Sequence, residues 1–136
     1  MKGTAPLKPR RTSLAWLLVA AYAALVTALS SASLPRLPHP LRTTPGTFAL
    51  HALEFAGFAF LLFRALERSR PQWSTTRLAL VTIAVTAAFG GLDEVHQKFV
   101  EGRVSQTIDL AADALGGTGT AALIAAWRWA NRRSAQ

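Results

Sequence analysis

Between Leu14 and Leu34 the chain runs for 21 residues without a charged side chain. As a helix rising about 1.5 Å per residue, that run covers roughly 30 Å, the thickness of a bilayer's hydrocarbon core. A cleaved signal sequence is the competing reading, because Lys8, Arg10 and Arg11 precede the run and Ser31, Ala32 and Ser33 offer small residues. Signal cores usually span only about 7–15 residues, so the run reads as a retained helix. After it, Pro35, Pro38, Pro40, Pro45 and Gly46 read as a stiff connection that cannot continue a helix.

Three further apolar segments follow, each carrying polar side chains near one end. The second, Thr47 to Leu66, holds His51 and Glu54 and closes on Arg64, Glu67, Arg68, Arg70 and Pro71. The third begins after Arg77, and its purely apolar part, Leu78 to Leu92, is only about 22 Å long as a helix. It spans only by taking Asp93, Glu94, Val95, His96 and Gln97 into the membrane. The fourth, Ile108 to Trp127, spans only by including Asp109 and Asp113. Charged residues make up 16% of the chain, against roughly a quarter in soluble domains, and 51% are hydrophobic. Disordered and collagen-like classes are thereby excluded. With no cysteine, so are a disulfide framework and a thiolate metal site.

The expected fold is all-α: a four-transmembrane-helix bundle with both termini cytoplasmic. Residues 1–13 form a basic cytoplasmic tail, 14–127 the membrane domain and 128–136 a second basic tail. Orientation follows from charge. With both ends inside, Lys2, Lys8, Arg10, Arg11, Arg64, Arg68, Arg70, Arg77, Arg128, Arg132 and Arg133 face the cytoplasm, eleven cations against Arg36, Arg42, Lys98 and Arg103 outside. Trp16, Trp73, Trp127 and Trp129 fall near the inner boundary, where indole rings anchor spans. The net charge of +8 would suggest nucleic acid on a soluble chain. Here the basic residues edge apolar segments, so the partners are membrane lipids and not nucleic acid. No oligomer is specified by the pattern.

Of the seven acids, all but Glu67 lie on the other side. Counting helix rise from the outer boundary, Glu54 and Asp93 are each roughly 10 Å deep, Asp113 roughly 8 Å, and Asp109 near the mouth. Asp93 and Gln97, and Asp109 and Asp113, are i,i+4 pairs; Glu94 and Gln97, and His51 and Glu54, are i,i+3 pairs. Each set therefore shares a helix face. Asp109, Ala112, Asp113, Gly116 and Thr120 make a small and polar stripe suited to close helix contact. Gly90 and Gly91 offer a neighbouring helix close approach, or relax the third helix just before its acids. A mid-membrane Asp costs about 2.5–3.5 kcal/mol on insertion scales, so these groups must be paired or hydrated. Arg103, Lys98, His51 and His96 are the available partners, and Arg103 follows a conformationally free Gly102.

Two residue runs resemble the VanZ-like family of small bacterial membrane proteins. One is Asp93-Glu94-Val95-His96-Gln97-Lys98-Phe99-Val100-Glu101-Gly102-Arg103, followed by Asp109-Leu110-Ala111-Ala112-Asp113 and Gly116; the other is His51-Ala52-Leu53-Glu54-Phe55. The resemblance covers about residues 47–126 and departs at Glu101, where the family commonly has Pro before Gly-Arg. It implies a four-helix protein of the cell envelope, in the bacterial cytoplasmic (inner) membrane. The family's namesake is associated with low-level resistance to the glycopeptide teicoplanin.

Three functional readings compete with a purely structural ion network. In the first, a membrane-embedded enzyme with an outer-leaflet polar cavity acts on a lipid-linked glycan. Glu54 or Glu94 is then the acid/base, Asp93 the ionised partner, and Arg103 the clamp for an anionic headgroup. His51, Gln97, Arg103, Asp109 and Asp113 would line the substrate. In the second, the same cavity binds a cell-wall intermediate without turnover. The third, a proton or solute path, finds no polar continuation in the apolar inner halves of the helices. A metal on His51, Glu54, Asp93 and Asp113 would match no recognised ligand spacing, and no cofactor is expected. Topology is the most direct expectation to check: reporters fused at Pro38 and Ser69 should report opposite sides, with Ser69 cytoplasmic.

Overall fold

The computed structural model describes residues 9–31, 43–101 and 107–133, with side chains from 12 to 132 within those ranges. Among the described residues there are four helices: α1 (Pro9–Ser30), α2 (Thr44–Ser69), α3 (Thr75–Gln97) and α4 (Thr107–Arg133). Each is long and apolar enough to cross a membrane. They run alternately up and down. The end of α1 meets the end of α3 through Ser30 and Asp93, while the starts of α2 and α4 meet through His51 and Asp113. At the opposite end, Trp16 of α1 donates its indole N–H to the Ser69 hydroxyl of α2 at 2.7 Å. The first segment is therefore an integral part of the bundle.

Every helix begins before the apolar segment that announces it, and α4 also runs past its segment's end. Helix α2 begins at Thr44, so Pro45 and Gly46 sit inside its first turn and do not end the preceding connection. The reason is local. A first-turn proline loses no intrahelical hydrogen bond, and the Thr43 side chain accepts from Gly46 N–H as the N-cap. Ser74 caps α3 in the same way, accepting from Arg77 N–H at 3.2 Å. At the far end, α4 continues past Trp127 to Arg133, because Arg128 is ion-paired to Glu67 of α2. Helix α1 likewise starts at Pro9, within the expected tail.

Helix α2 is central, packing most extensively on α4 and also on α1 and α3; α4 in turn packs on α3. The apolar core lies toward the end opposite the acids and includes Phe58, Leu62, Phe63, Leu66, Leu78 and Ala121. Phe89 of α3 stacks at a tilt on Phe55 and Phe58, with centroids 5.6 and 4.7 Å away. Phe60 instead faces outward. Without a hydrophobic drive between helices in lipid, closeness comes from small residues. A side chain at Gly116 would collide with the Ala52 backbone carbonyl of α2, and one at Gly117 with Thr86 of α3. Gly90 lets the Asp113 carboxylate lie against α3, whereas Gly91 faces open space.

This contrast sets a test of the packing. Gly116→Ala should lower the stability of the detergent-purified protein by about 1–3 kcal/mol, since the Ala52 carbonyl is backbone and cannot step aside. Gly91→Ala should leave the thermal midpoint unchanged or slightly higher.

Candidate functional site

Each helix contributes its polar residues at one end of the bundle, and the contacts fall into two groups. The first joins α2 and α4. His51 Nδ1 lies 2.9 Å from Asp113 Oδ1, and its Nε2 lies 4.0 Å from Asp109 Oδ2. The i,i+4 spacing of the two aspartates places both on the α4 face turned toward α2. His51 and Asp113 are each 2% exposed, so the contact between them is buried. Close approach of α4 to α2 at Gly116 and Ala52 brings the two side chains within bonding distance.

The second group joins α1 and α3. The Ser30 hydroxyl and the Gln97 amide each donate to Asp93 Oδ2 at 2.7 Å, and all three side chains are buried. Gln97 is held by the i,i+4 geometry of its own helix; Ser30 crosses from α1. Nearby, Ser31 Oγ and His96 Nε2 lie 2.9 Å apart at the exposed rim. The two groups form one electrostatic cluster. His51 is within reach of the charges of Asp113, Asp109 and Glu54, and Asp113 within reach of Asp93.

Glu54 is buried one turn after His51 on α2. The imidazole turns to Asp113 for its direct contact, not to its i,i+3 neighbour Glu54. Glu94 is half-buried and rotated about 100° around α3 from Asp93. Lys98, offered as a counter-charge, is exposed at the α3 C-cap. Arg103 and Gly102 lie outside the described residues. Among the described residues, no three His, Asp or Glu side chains are placed to hold a metal ion. Ser30 and Ser31 are the participants that sequence reasoning missed. Tyr22 is a further one, its ring seated against Gly57 within electrostatic reach of Glu54. Their one signal was position, since Ser30 and Ser31 close a helix that must end at the depth of the acids.

Chemically, the α2–α4 group is an oriented imidazole. If Nδ1–H donates to Asp113, the neutral ring keeps Nε2 as its proton-accepting atom. A 4.0 Å gap to Asp109 is too long for a direct bond. It fits one hydroxyl or water oxygen bonded to both. The α1–α3 group is a carboxylate fixed by two donors.

A sequence model described as VanZ/LLP1 matches residues 12–128 of the chain. The chain has no match among curated proteins or solved structures.

The Ser30 contact can be weighed separately. Interhelical polar contacts in membranes average about 0.6 kcal/mol and reach about 1.7. Ser30→Ala should fall in the upper part of that range in a thermal or denaturant assay, because it removes a buried donor from Asp93. Ser31→Ala, at the rim, should stay within about 0.5 kcal/mol of wild type.

Proposed function

The chain belongs to the VanZ/LLP1 family and is a multi-pass membrane protein; from that premise we propose that its polar end is an acid–base site acting on a lipid-linked glycan of the cell envelope. One observation carries the reading: an imidazole oriented by Asp113, with a second carboxylate at hydroxyl-bridging distance, lies within a membrane span. Helix glue needs only one contact per helix pair, whereas this cluster gathers Glu54, Asp109 and Asp113 around one histidine, with Asp93 within reach of Asp113. Grouped acids are costly to hold in lipid, and such residues in spans mark function by default.

The positions of the described residues support one division of labour. His51 Nε2 accepts a proton from a water held between it and Asp109. As that water's oxygen bonds to the anomeric carbon, the bond from that carbon to the leaving oxygen breaks. Glu54, in its protonated form, returns a proton to the leaving oxygen. Asp93, fixed by Ser30 and Gln97, stabilises positive charge developing on the sugar, and Arg103 receives an anionic headgroup. Glu94 stands as the alternative donor. The excess of cations at the other end supports a site facing the extracytoplasmic side of the bacterial inner membrane, with both chain ends cytoplasmic. That position suits a lipid-linked cell-wall intermediate and supports a link to glycopeptide (teicoplanin) tolerance.

A second reading draws on the Asp93 contacts. A carboxylate satisfied by donors from α1 and α3 also serves a non-catalytic scaffold, in which the cluster holds helices together. The two readings part on turnover. Purified protein incubated with lipid-linked glycans should release cleaved product. His51→Gln and Glu54→Gln should each lower the rate about 10²–10⁴-fold while the protein stays folded. Binding of the glycan without product would leave a non-catalytic binding site, and neither binding nor product would leave the scaffold reading.

A further inference from the structure

The end of the bundle opposite the acids carries an uncompensated positive charge. Among the described residues Glu67 is the single acid at that end, and its carboxylate is shared by two guanidiniums. Arg64, one turn back on α2, bonds it at 2.6 Å, and Arg128 reaches it from α4. Arg128 also lies over the Phe63 ring, 5.9 Å from its centroid. Two cations on one carboxylate leave one charge in excess, with Arg68 adjacent. Arg64 and Arg128 each lie five residues inside their helix ends, about 7–8 Å along the axis. In a span whose ends reach the membrane surface, that is the depth where lipid phosphates meet the acyl region.

The surface around Arg64 is shaped as well as charged. A groove of about 310 Å³ runs between α1 and α2, floored by Ala15, Leu18 and Leu61. Another of about 430 Å³ runs between α2 and α4, floored by Leu123, Ile124 and Trp127. Phe60 and Arg64, i,i+4 on the outward face of α2, border both grooves and form the ridge between them. Thus two apolar channels converge on one guanidinium.

We propose that an anionic diacyl phospholipid straddles this ridge, with one acyl chain in each groove and its phosphate on Arg64 and Arg68. Charge complementarity selects the occupant. A guanidinium forks onto a phosphate with two parallel hydrogen bonds, and the lipid's net negative charge supplies the anion that Glu67 leaves lacking. A zwitterionic lipid brings an ammonium that opposes the same cations. Free phosphate has the charge and none of the apolar contact. The site is independent of the acid–base cluster, which lies at the other end of the same helices.

Native mass spectrometry of the full chain in mild detergent tests the proposal, titrating phosphatidylglycerol, phosphatidylcholine or inorganic phosphate. Phosphatidylglycerol should bind at least about tenfold more tightly than phosphatidylcholine, as expected for a charge-assisted contact. Arg64→Gln should abolish that preference while leaving phosphatidylcholine binding unchanged, and Lys98→Gln, at the acidic end, should preserve it. Should Arg64→Gln not fold, Arg68→Gln carries the same expectation. Equal affinity for the two lipids would overturn the proposal, as would a preference that survives Arg64→Gln and Arg68→Gln. Displacement of phosphatidylglycerol by an equal concentration of inorganic phosphate would also overturn it, because the grooves would then contribute nothing.

Discussion

A polar side chain inside hydrocarbon must find its partner within the protein or in water the protein encloses, since lipid offers none. That constraint organises this bundle. His51 finds Asp113, and Asp93 finds Ser30 and Gln97. Each pairing fixes which helix stands beside which. The α2–α4 pairing requires backbones close enough for Gly116 to sit on the Ala52 carbonyl, and the cluster as a whole requires Gly90 to admit Asp113 against α3. Small residues and acids are thus two halves of one requirement. The first permit the approach that the second demand.

The same requirement acts with opposite sign at the other end. There the cations are the costly groups, and Glu67 is shared between Arg64 and Arg128. Arg70 and Arg77 lie over the Trp73 ring, at 5.9 and 4.3 Å from its centroid. An apolar core of Phe58, Leu62, Phe63 and Leu66 separates the two ends. The bundle is therefore electrically polarised along its axis. Among the described residues, the buried acids gather at one end and the paired arginines at the other.

What the sequence disclosed was whatever depends on distance along one helix. Depth, counted at a fixed rise per residue, put Glu54, Asp93 and Asp113 in one layer, and i,i+4 spacing put Asp93 with Gln97 and Asp109 with Asp113. What it hid depends on which helices touch. Ser30 lies 63 residues from Asp93 and Glu67 lies 61 from Arg128, so no local pattern reports those pairs. His51 prefers Asp113 to its own neighbour Glu54 for the same reason: α2 packs more extensively on α4 than on any other helix. Helix ends were misjudged where capping decided them. Pro45 looks like a breaker until Thr43 is seen to cap the turn that contains it.

The central claim is that the imidazole of α2 and the carboxylate of α4 meet inside the membrane. It is tested most directly by a nitrogen–carbon dipolar distance, measured by solid-state NMR on the labelled protein in bilayers, between the His51 ring and the Asp113 carboxyl. Contact at 2.9 Å between Nδ1 and Oδ1 predicts a strong coupling assigned to Nδ1. Absence of coupling in a folded sample would place the two groups beyond hydrogen-bond reach and contradict the account.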